Sequence, residues 1–180
     1  MSTFDVKKNP AICALPWIHE YKTIGGKTAP CCQGDGFLEG ETIAGTRESM
    51  LKGIKPRACN NCYKTEQESG WSPRVQETND WIGKFGEPDV NNPSIQYVDV
   101  RYDPTCNLKC KTCGPGSSTL WQKEKGIKIA VSEKNKDFLN EVDKTILKKV
   151  YLAGGEPTYI RSYLQFLQEL FVVNPVCEVI

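Results

Sequence analysis

One histidine, His19, stands among 180 residues. A lone histidine is more often a packed or surface residue than a general base, and His19 is read that way. No excess of either charge exists, with 23 Lys and Arg against 22 Asp and Glu. Phosphate binding needs concentrated positive charge, so a general nucleic-acid or membrane surface is not expected. The start, "MSTFDVKKNPAICALPW", lacks an apolar run of signal-peptide length, and no segment is long and apolar enough to span a bilayer. A cytoplasmic protein is the expectation. No internal repeat, low-complexity tract or phosphate cradle stands out. Hydrophobic residues make up 39%, enough for a core in one ordinary domain or two small ones.

Against that background nine cysteines are conspicuous. Cytosolic thiols stay reduced, so a cysteine-rich cytosolic chain points to metal rather than disulfides. Nine is also odd, which leaves a thiol over in any pairing. Cys13, Cys31, Cys32, Cys59 and Cys62 lie in the first third, Cys106, Cys110 and Cys113 follow a gap, and Cys177 stands alone. Cys177 lies in an apolar stretch and reads as a small buried hydrophobe. The gap holds "GKFGEPDVNNPS", rich in turn residues. The chain therefore divides into a cysteine-rich region over 1–83, a linker over 84–93 and a second part over 94–180.

The first part reads as loops with short elements. A hairpin is expected from Ile18–Ile24 through Gly25-Gly26 to Cys31-Cys32. "TRESMLKGIKP" has helical composition ended by Gly53 and Pro56, and a short helix begins at or after Cys62. The second part predicts a strand over Ser94–Tyr102 and then the cysteine loop. A helix follows, capped by Ser117 or Ser118 and stopped by Gly126. "SEKNKDFLNEVDKTILKK" places Phe138, Leu139, Val142 and Ile146 on one helical face. "KVYLAGGEP" is an apolar strand running into a Gly-Gly turn. A helix then carries Ile160, Tyr163, Leu164, Leu167, Leu170 and Phe171, and "VCEVI" opens another strand. Alternating strands and helices predict an α/β fold with parallel strands. Trp17, Trp71, Trp81 and Trp121 are read as packing residues.

Cys106, Cys110 and Cys113 form a C-x3-C-x2-C loop directly after a strand. α/β proteins usually place their sites at that end. A cubic [4Fe–4S] cluster has four irons, each wanting one outside ligand. Three thiolates hold three irons and leave the fourth open to a small molecule. The alternative is a zinc knuckle taking a fourth ligand elsewhere, such as Cys177 or a carboxylate. After the next strand comes Gly154-Gly155-Glu156-Pro157. Its glycines allow close backbone approach, and Glu156 offers acceptors. Parallel packing puts this turn beside the cysteine loop.

"CNLKCKTC" together with "GGEP" resembles the radical S-adenosylmethionine (SAM) enzymes, whose fold is a partial (β/α)6 barrel. The resemblance implies that Cys106, Cys110 and Cys113 ligate a [4Fe–4S] cluster whose open iron is chelated by SAM. It places Gly154, Gly155, Glu156 and Pro157 at the SAM amino group. The implied chemistry is reductive cleavage of SAM to a 5′-deoxyadenosyl radical that abstracts hydrogen from a substrate. Thr112 departs from the pattern, which usually has an aromatic residue before the third cysteine. Cys13, Gly26 and Cys31, in a C-x12-G-x4-C pattern, with the C-x2-C of Cys59 and Cys62, resemble the twitch or SPASM auxiliary-cluster modules of that superfamily. Such modules usually follow the barrel; here the set precedes it, as in a twitch-type group that is often phage-encoded. The ligands this implies are Cys13, Cys31, Cys59 and Cys62, with Cys32 the alternative to Cys31. A second iron–sulfur cluster and a structural zinc both suit four thiolates.

The residues 94–180 supply about two βα units and the start of a third strand of a six-strand barrel. A fragment or a split enzyme completed by a second chain is therefore expected. The resemblance implies SAM, an electron donor such as a flavodoxin or ferredoxin, and an unknown substrate, peptide or protein, as partners. It implies the host cytoplasm where the gene is phage-encoded.

Overall fold

The computed structural model describes residues 2–22, 28–34, 36–37, 40–101, 103–131 and 137–180. Two units separate by their internal contacts: Met1–Tyr21 with Thr28–Gln96, and Lys22–Lys27 with Tyr97–Ile180.

In the first unit α1 (Leu15–Ile18) is a single turn with Pro16 near its start, and β1 (His19–Lys22) follows directly. β2 (Thr28–Ala29) lies beside β1. The Gly25-Gly26 turn expected between them lies outside the described residues. α2 (Ile43–Leu51) begins earlier than its composition suggested, because the Thr42 hydroxyl accepts from Gly45 N at 3.0 Å and caps it there. A tight turn over Arg57–Cys59 feeds α3 (Asn60–Ser69). That helix was expected at or after Cys62; instead Cys59 and Cys62 share its entry turn. α4 (Pro73–Phe85) was not anticipated, and its last residues occupy the start of the expected linker. Its signal was present in Ser72-Pro73, an N-cap hydroxyl followed by a proline whose missing N–H costs nothing in a first turn.

The core of this unit gathers Phe4, Ile12, Trp17, Ile18, Met50 and Trp81. Phe4 and Trp17 meet edge-on at 5.1 Å between ring centroids. Each such fully buried side chain stabilises by roughly 1.5–3 kcal/mol. Beside it lies a charge: Arg74, only 3% exposed. Its guanidinium grips Glu66 in two bonds, of 2.8 and 2.6 Å, donates to the Ile12 carbonyl, and stacks over Tyr63. Tyr63 in turn donates to the Ala11 carbonyl at 2.8 Å. α3 and α4 are thus tied to the backbone just before Cys13. His19 is packed as expected, its ring nitrogen 3.1 Å from the Pro30 carbonyl.

In the second unit β3 (Tyr97–Val100), β4 (Lys149–Leu152) and β5 (Glu178–Val179) are parallel neighbours. Val98 pairs with Val150 and Val100 with Leu152, and Lys149 pairs with Glu178. The fold is therefore α/β with parallel strands. β3 is buried at all four positions, as a strand covered on both faces must be. α5 (Thr119–Lys125) starts at Ser118, whose hydroxyl accepts from Trp121 N, and stops at Gly126. α6 (Phe138–Glu141) is one turn, not the long helix the spacing predicted; residues 132–136 of that prediction lie outside the described residues. Val142 turns extended, and Asp143 bonds Thr145 in a local turn, so Ile146 is 43% exposed instead of sharing a buried face. α7 (Arg161–Val173) buries Tyr163, Phe166 and Leu170. Ile160, Tyr163 and Leu170 of the predicted stripe are buried, whereas Leu164 and Phe171 are exposed and Phe166 is buried in addition. Among the described residues no helix is long and apolar enough to cross a membrane.

Removing one partner of a buried ion pair strands the other charge, so Arg74→Ala is expected to cost about 3–5 kcal/mol in urea denaturation. Glu48→Ala, which breaks the exposed Lys52 pair, should change stability by less than about 1 kcal/mol.

Candidate metal centre

β3 and β4 run in parallel and end side by side, so the loops that leave them continue together. Ladder bonding does not stop with the strands. Ala153 N donates to the Val100 carbonyl at 2.8 Å, Gly155 N to Asp103 O at 2.8 Å, and Glu156 N to Thr105 O at 2.9 Å. The turn Gly154–Glu156 is therefore stitched to the backbone that leads into Cys106. Such closeness leaves no room for side chains. A Cβ on Gly155 would stand 2.0 Å from the Thr105 carbonyl oxygen. Gly154 adopts φ +108, and a Cβ there would stand 2.7 Å from the Asp103 oxygen. Only glycine satisfies either position. The Tyr163 hydroxyl, buried at the base of the turn, donates to the Ala153 carbonyl at 3.2 Å.

The cysteine loop is closed from its other end by α5. Thr119 clamps Cys106 in both directions: Cys106 N donates to its hydroxyl at 3.1 Å, and that hydroxyl donates to Cys106 O at 2.9 Å. Ser118 donates to the Leu108 carbonyl at 2.8 Å, and Trp121 Nε1 to the Cys110 carbonyl at 3.1 Å. Cys106 is buried, and Leu108 N donates to its sulfur at 3.3 Å. Cys110 and Cys113 are exposed. Glu156 folds onto Thr158, whose N–H and hydroxyl both bond Oε1. Those two bonds hold its carboxyl below the usual range, so it is ionised at neutral pH. Pro157 opens the following tight turn, Pro157–Tyr159.

The other cysteines lie in the first unit. Cys13, Cys59 and Cys62 are buried, and Cys31 and Cys32 are half-buried. Burial pushes the Cys13 thiol up to about 12, and the neighbouring Cys59 adds to the rise. Cys31 is raised further, by burial first and then by Cys13, with Cys32 and Cys62 contributing. Cys62 is raised by burial, against hydrogen bonding from Arg74 N at the start of α4. Cys13 therefore has Cys59 near it, and Cys31 has Cys13, Cys32 and Cys62. Gln33 Nε2 lies 3.7 Å from the Cys32 sulfur. Gly26, which completes the C-x12-G-x4-C pattern, lies outside the described residues.

All nine cysteines are free thiols. Among the described residues no three His, Cys, Asp or Glu side chains stand close enough to hold one metal ion. The donor chemistry nonetheless suits iron–sulfur ligation. The loop offers three free thiols within eight residues, one already accepting a backbone N–H and two open to an incoming cluster. Sequence reasoning missed the Ser118–Thr119 clamp and Arg74. A hydroxyl pair directly before a helix was a signal for the first; nothing local marks a buried arginine. Comparison with known proteins finds no matching family model, curated protein or solved structure.

Gly155→Ala should displace the turn from the cysteine loop and destabilise the second unit by about 1–3 kcal/mol, measured by denaturant titration. A thiol held protonated by the fold stabilises fully below its unfolded pKa, and that contribution is lost as pH climbs through its folded pKa. Metal-free protein is accordingly expected to lose stability between pH 9.0 and about 12, checked by melts across that window. Cys13→Ala should flatten the decline. Under native conditions at pH 8, Cys110 and Cys113 should alkylate long before Cys13, as peptide mass mapping would record.

Proposed function

We propose that the chain is a radical SAM protein, with Cys106, Cys110 and Cys113 holding a [4Fe–4S] cluster whose open iron takes SAM. One observation carries the reading: the Gly-Gly-Glu-Pro turn is hydrogen-bonded to the backbone at Asp103 and Thr105 that leads into the C-x3-C-x2-C loop, at the adjoining ends of two parallel strands. When bound, the reduced cluster supplies the electron that cleaves SAM to a 5′-deoxyadenosyl radical for hydrogen abstraction. The chain's own residues prepare that site. Gly154 and Gly155 keep side chains out of the space between the two loops. Glu156 is ionised and, because Thr158 bonds only Oε1 in this turn, offers Oε2 to an ammonium such as that of SAM. Thr119, Ser118 and Trp121 hold the loop backbone while the thiols take their ligand.

On the same reading Cys13, Cys31, Cys59 and Cys62 form a second, twitch- or SPASM-like centre holding an iron–sulfur cluster or zinc. The rise of Cys13 beside Cys59, and of Cys31 beside Cys13, Cys32 and Cys62, supports the grouping and leaves Cys32 the alternative to Cys31. The second unit is read as radical SAM barrel-type βα units, acting in the cytoplasm on a peptide or protein substrate. A non-catalytic metal-binding module is the second reading, favoured by the count of three parallel strands among the described residues of this unit.

Anaerobic reconstitution is expected to load about four irons on this loop. SAM should then change the EPR signal of the reduced cluster, and Cys110→Ala should abolish both iron at this site and 5′-deoxyadenosine release. Iron retained with no SAM effect on the signal would select the non-catalytic module. Stoichiometric zinc in aerobically purified protein, with no visible absorption, would reject both clusters.

A further inference from the structure

A cleft of about 360 Å³ opens on the first unit, beside α2. Pockets for small ligands begin at about that size. Its lining comes from two stretches: Thr42, Gly45 and Ser49 of α2 and its cap, and Lys55, Pro56 and Arg57 of the chain beyond. Charge is fixed there. Glu41 also lines the cleft and holds Arg57 in two bonds, Nε to Oε1 at 3.1 Å and Nη2 to Oε2 at 2.7 Å. Nη2 donates besides to the Gly36 carbonyl at 2.9 Å. The guanidinium is thus oriented before any ligand arrives, which lowers the ordering cost of binding. Lys55 is exposed, with its ammonium 4.9 Å from the centroid of the Tyr63 ring. The lining therefore carries two cations against one carboxylate. Among the described residues the Ser49 hydroxyl makes no hydrogen bond. Gly45 is the odd residue. Glycine inside a helix weakens it relative to alanine. The fold does not ask for it, because a Cβ there would meet only the Thr42 hydroxyl, at 3.4 Å. Its effect is to keep that side of the cleft open.

We infer that this cleft binds a small hydroxylated anion of the sugar-phosphate class. Lys55 meets the phosphate as a mobile point charge, and the anchored Arg57 reinforces it electrostatically. The Ser49 hydroxyl and the Glu41 carboxylate exchange hydrogen bonds with the sugar hydroxyls. An apolar ligand is disfavoured, since it would cover an ion pair and hydroxyls without replacing their contacts with water. Among the described residues no aromatic ring lines the cleft, so nothing there stacks a nucleobase. The inference does not rest on metal at either set of cysteines.

The test uses the full chain under reducing conditions, which keep its thiols free. Ribose 5-phosphate is titrated against the protein while amide NMR signals are followed. Saturable shifts are expected at Gly45, Ser49 and Lys55. Neutral ribose and inorganic phosphate, each carrying half of the ligand's chemistry, should bind at least about tenfold more weakly. Gly45→Gln puts a side chain into the cleft at a helical position that tolerates one. It should melt no lower than wild type and yet bind ribose 5-phosphate at least about tenfold more weakly. A glycine kept only for folding would show the reverse, lower melting with binding unchanged. Lys55→Gln should weaken ribose 5-phosphate and leave neutral ribose as it was. Should Gly45→Gln fail to fold, Lys55→Gln and Ser49→Ala carry the test, and unchanged binding in both overturns the inference. No saturable shift in wild type overturns it as well. So does inorganic phosphate binding as tightly as ribose 5-phosphate, which would mark an adventitious anion only, and so does adenosine monophosphate binding at least about tenfold more tightly, which would mark a nucleotide.

Discussion

Three backbone hydrogen bonds, from Ala153, Gly155 and Glu156 to the carbonyls of Val100, Asp103 and Thr105, organise the second unit. They extend the pairing of β3 and β4 past the ends of the strands, into segments that would otherwise diverge as loops. The approach is so close that two consecutive positions admit no Cβ. Everything at this end of the sheet depends on it. The cysteine loop has one edge fixed by the glycine turn and the other by Ser118 and Thr119 on α5. Glu156 is delivered to the mouth of the loop because its own N–H is the last rung. Buried backbone groups must find partners, and here the same bonds that satisfy them also bring a thiol loop and a carboxylate together.

The first unit solves a different problem. It buries several thiols and a guanidinium in a small core, where an uncompensated charge is costly. Arg74 is compensated by Glu66 and by the Ile12 carbonyl. Protonated thiols carry no charge, which is why burial drives Cys13, Cys31 and Cys62 upward. Metal binding would reverse that balance, because a thiolate bound to a cation no longer needs its proton. Hydrogen bonding from the backbone at Arg74 and at Gln33 opposes that rise at Cys62 and Cys31. Such donors favour the thiolate and so lower the cost of making a ligand.

Much of the second unit was legible from local pattern. The β3 run, the Ser118 and Gly126 boundaries of α5, the parallel order and the Gly-Gly turn all rest on short-range chemistry: β-branched residues, a hydroxyl cap, a left-handed stop. Failures came where local spacing competed with packing. The apolar positions of 138–146 fit a helix, but Asp143 captured its own neighbour and broke it. In α7 the leucines and aromatics outnumbered the buried slots, so spacing alone chose Leu164 and Phe171 over Phe166. α4 was passed over because its composition is polar, and its N-cap signal was overlooked.

By itself, then, the sequence determined the donor chemistry: which thiols share a loop and which turn follows the next strand. Those are properties of residue type and spacing. Tertiary structure alone decided that Gly155 must be glycine for reasons of packing against Thr105, that Arg74 anchors the backbone before Cys13, and that Cys13 lies beside Cys59 and Cys31 beside Cys13, Cys32 and Cys62. Each of these depends on a distance between residues far apart along the chain, and such distances are set by how strands pair and side chains pack, not by the order of residues.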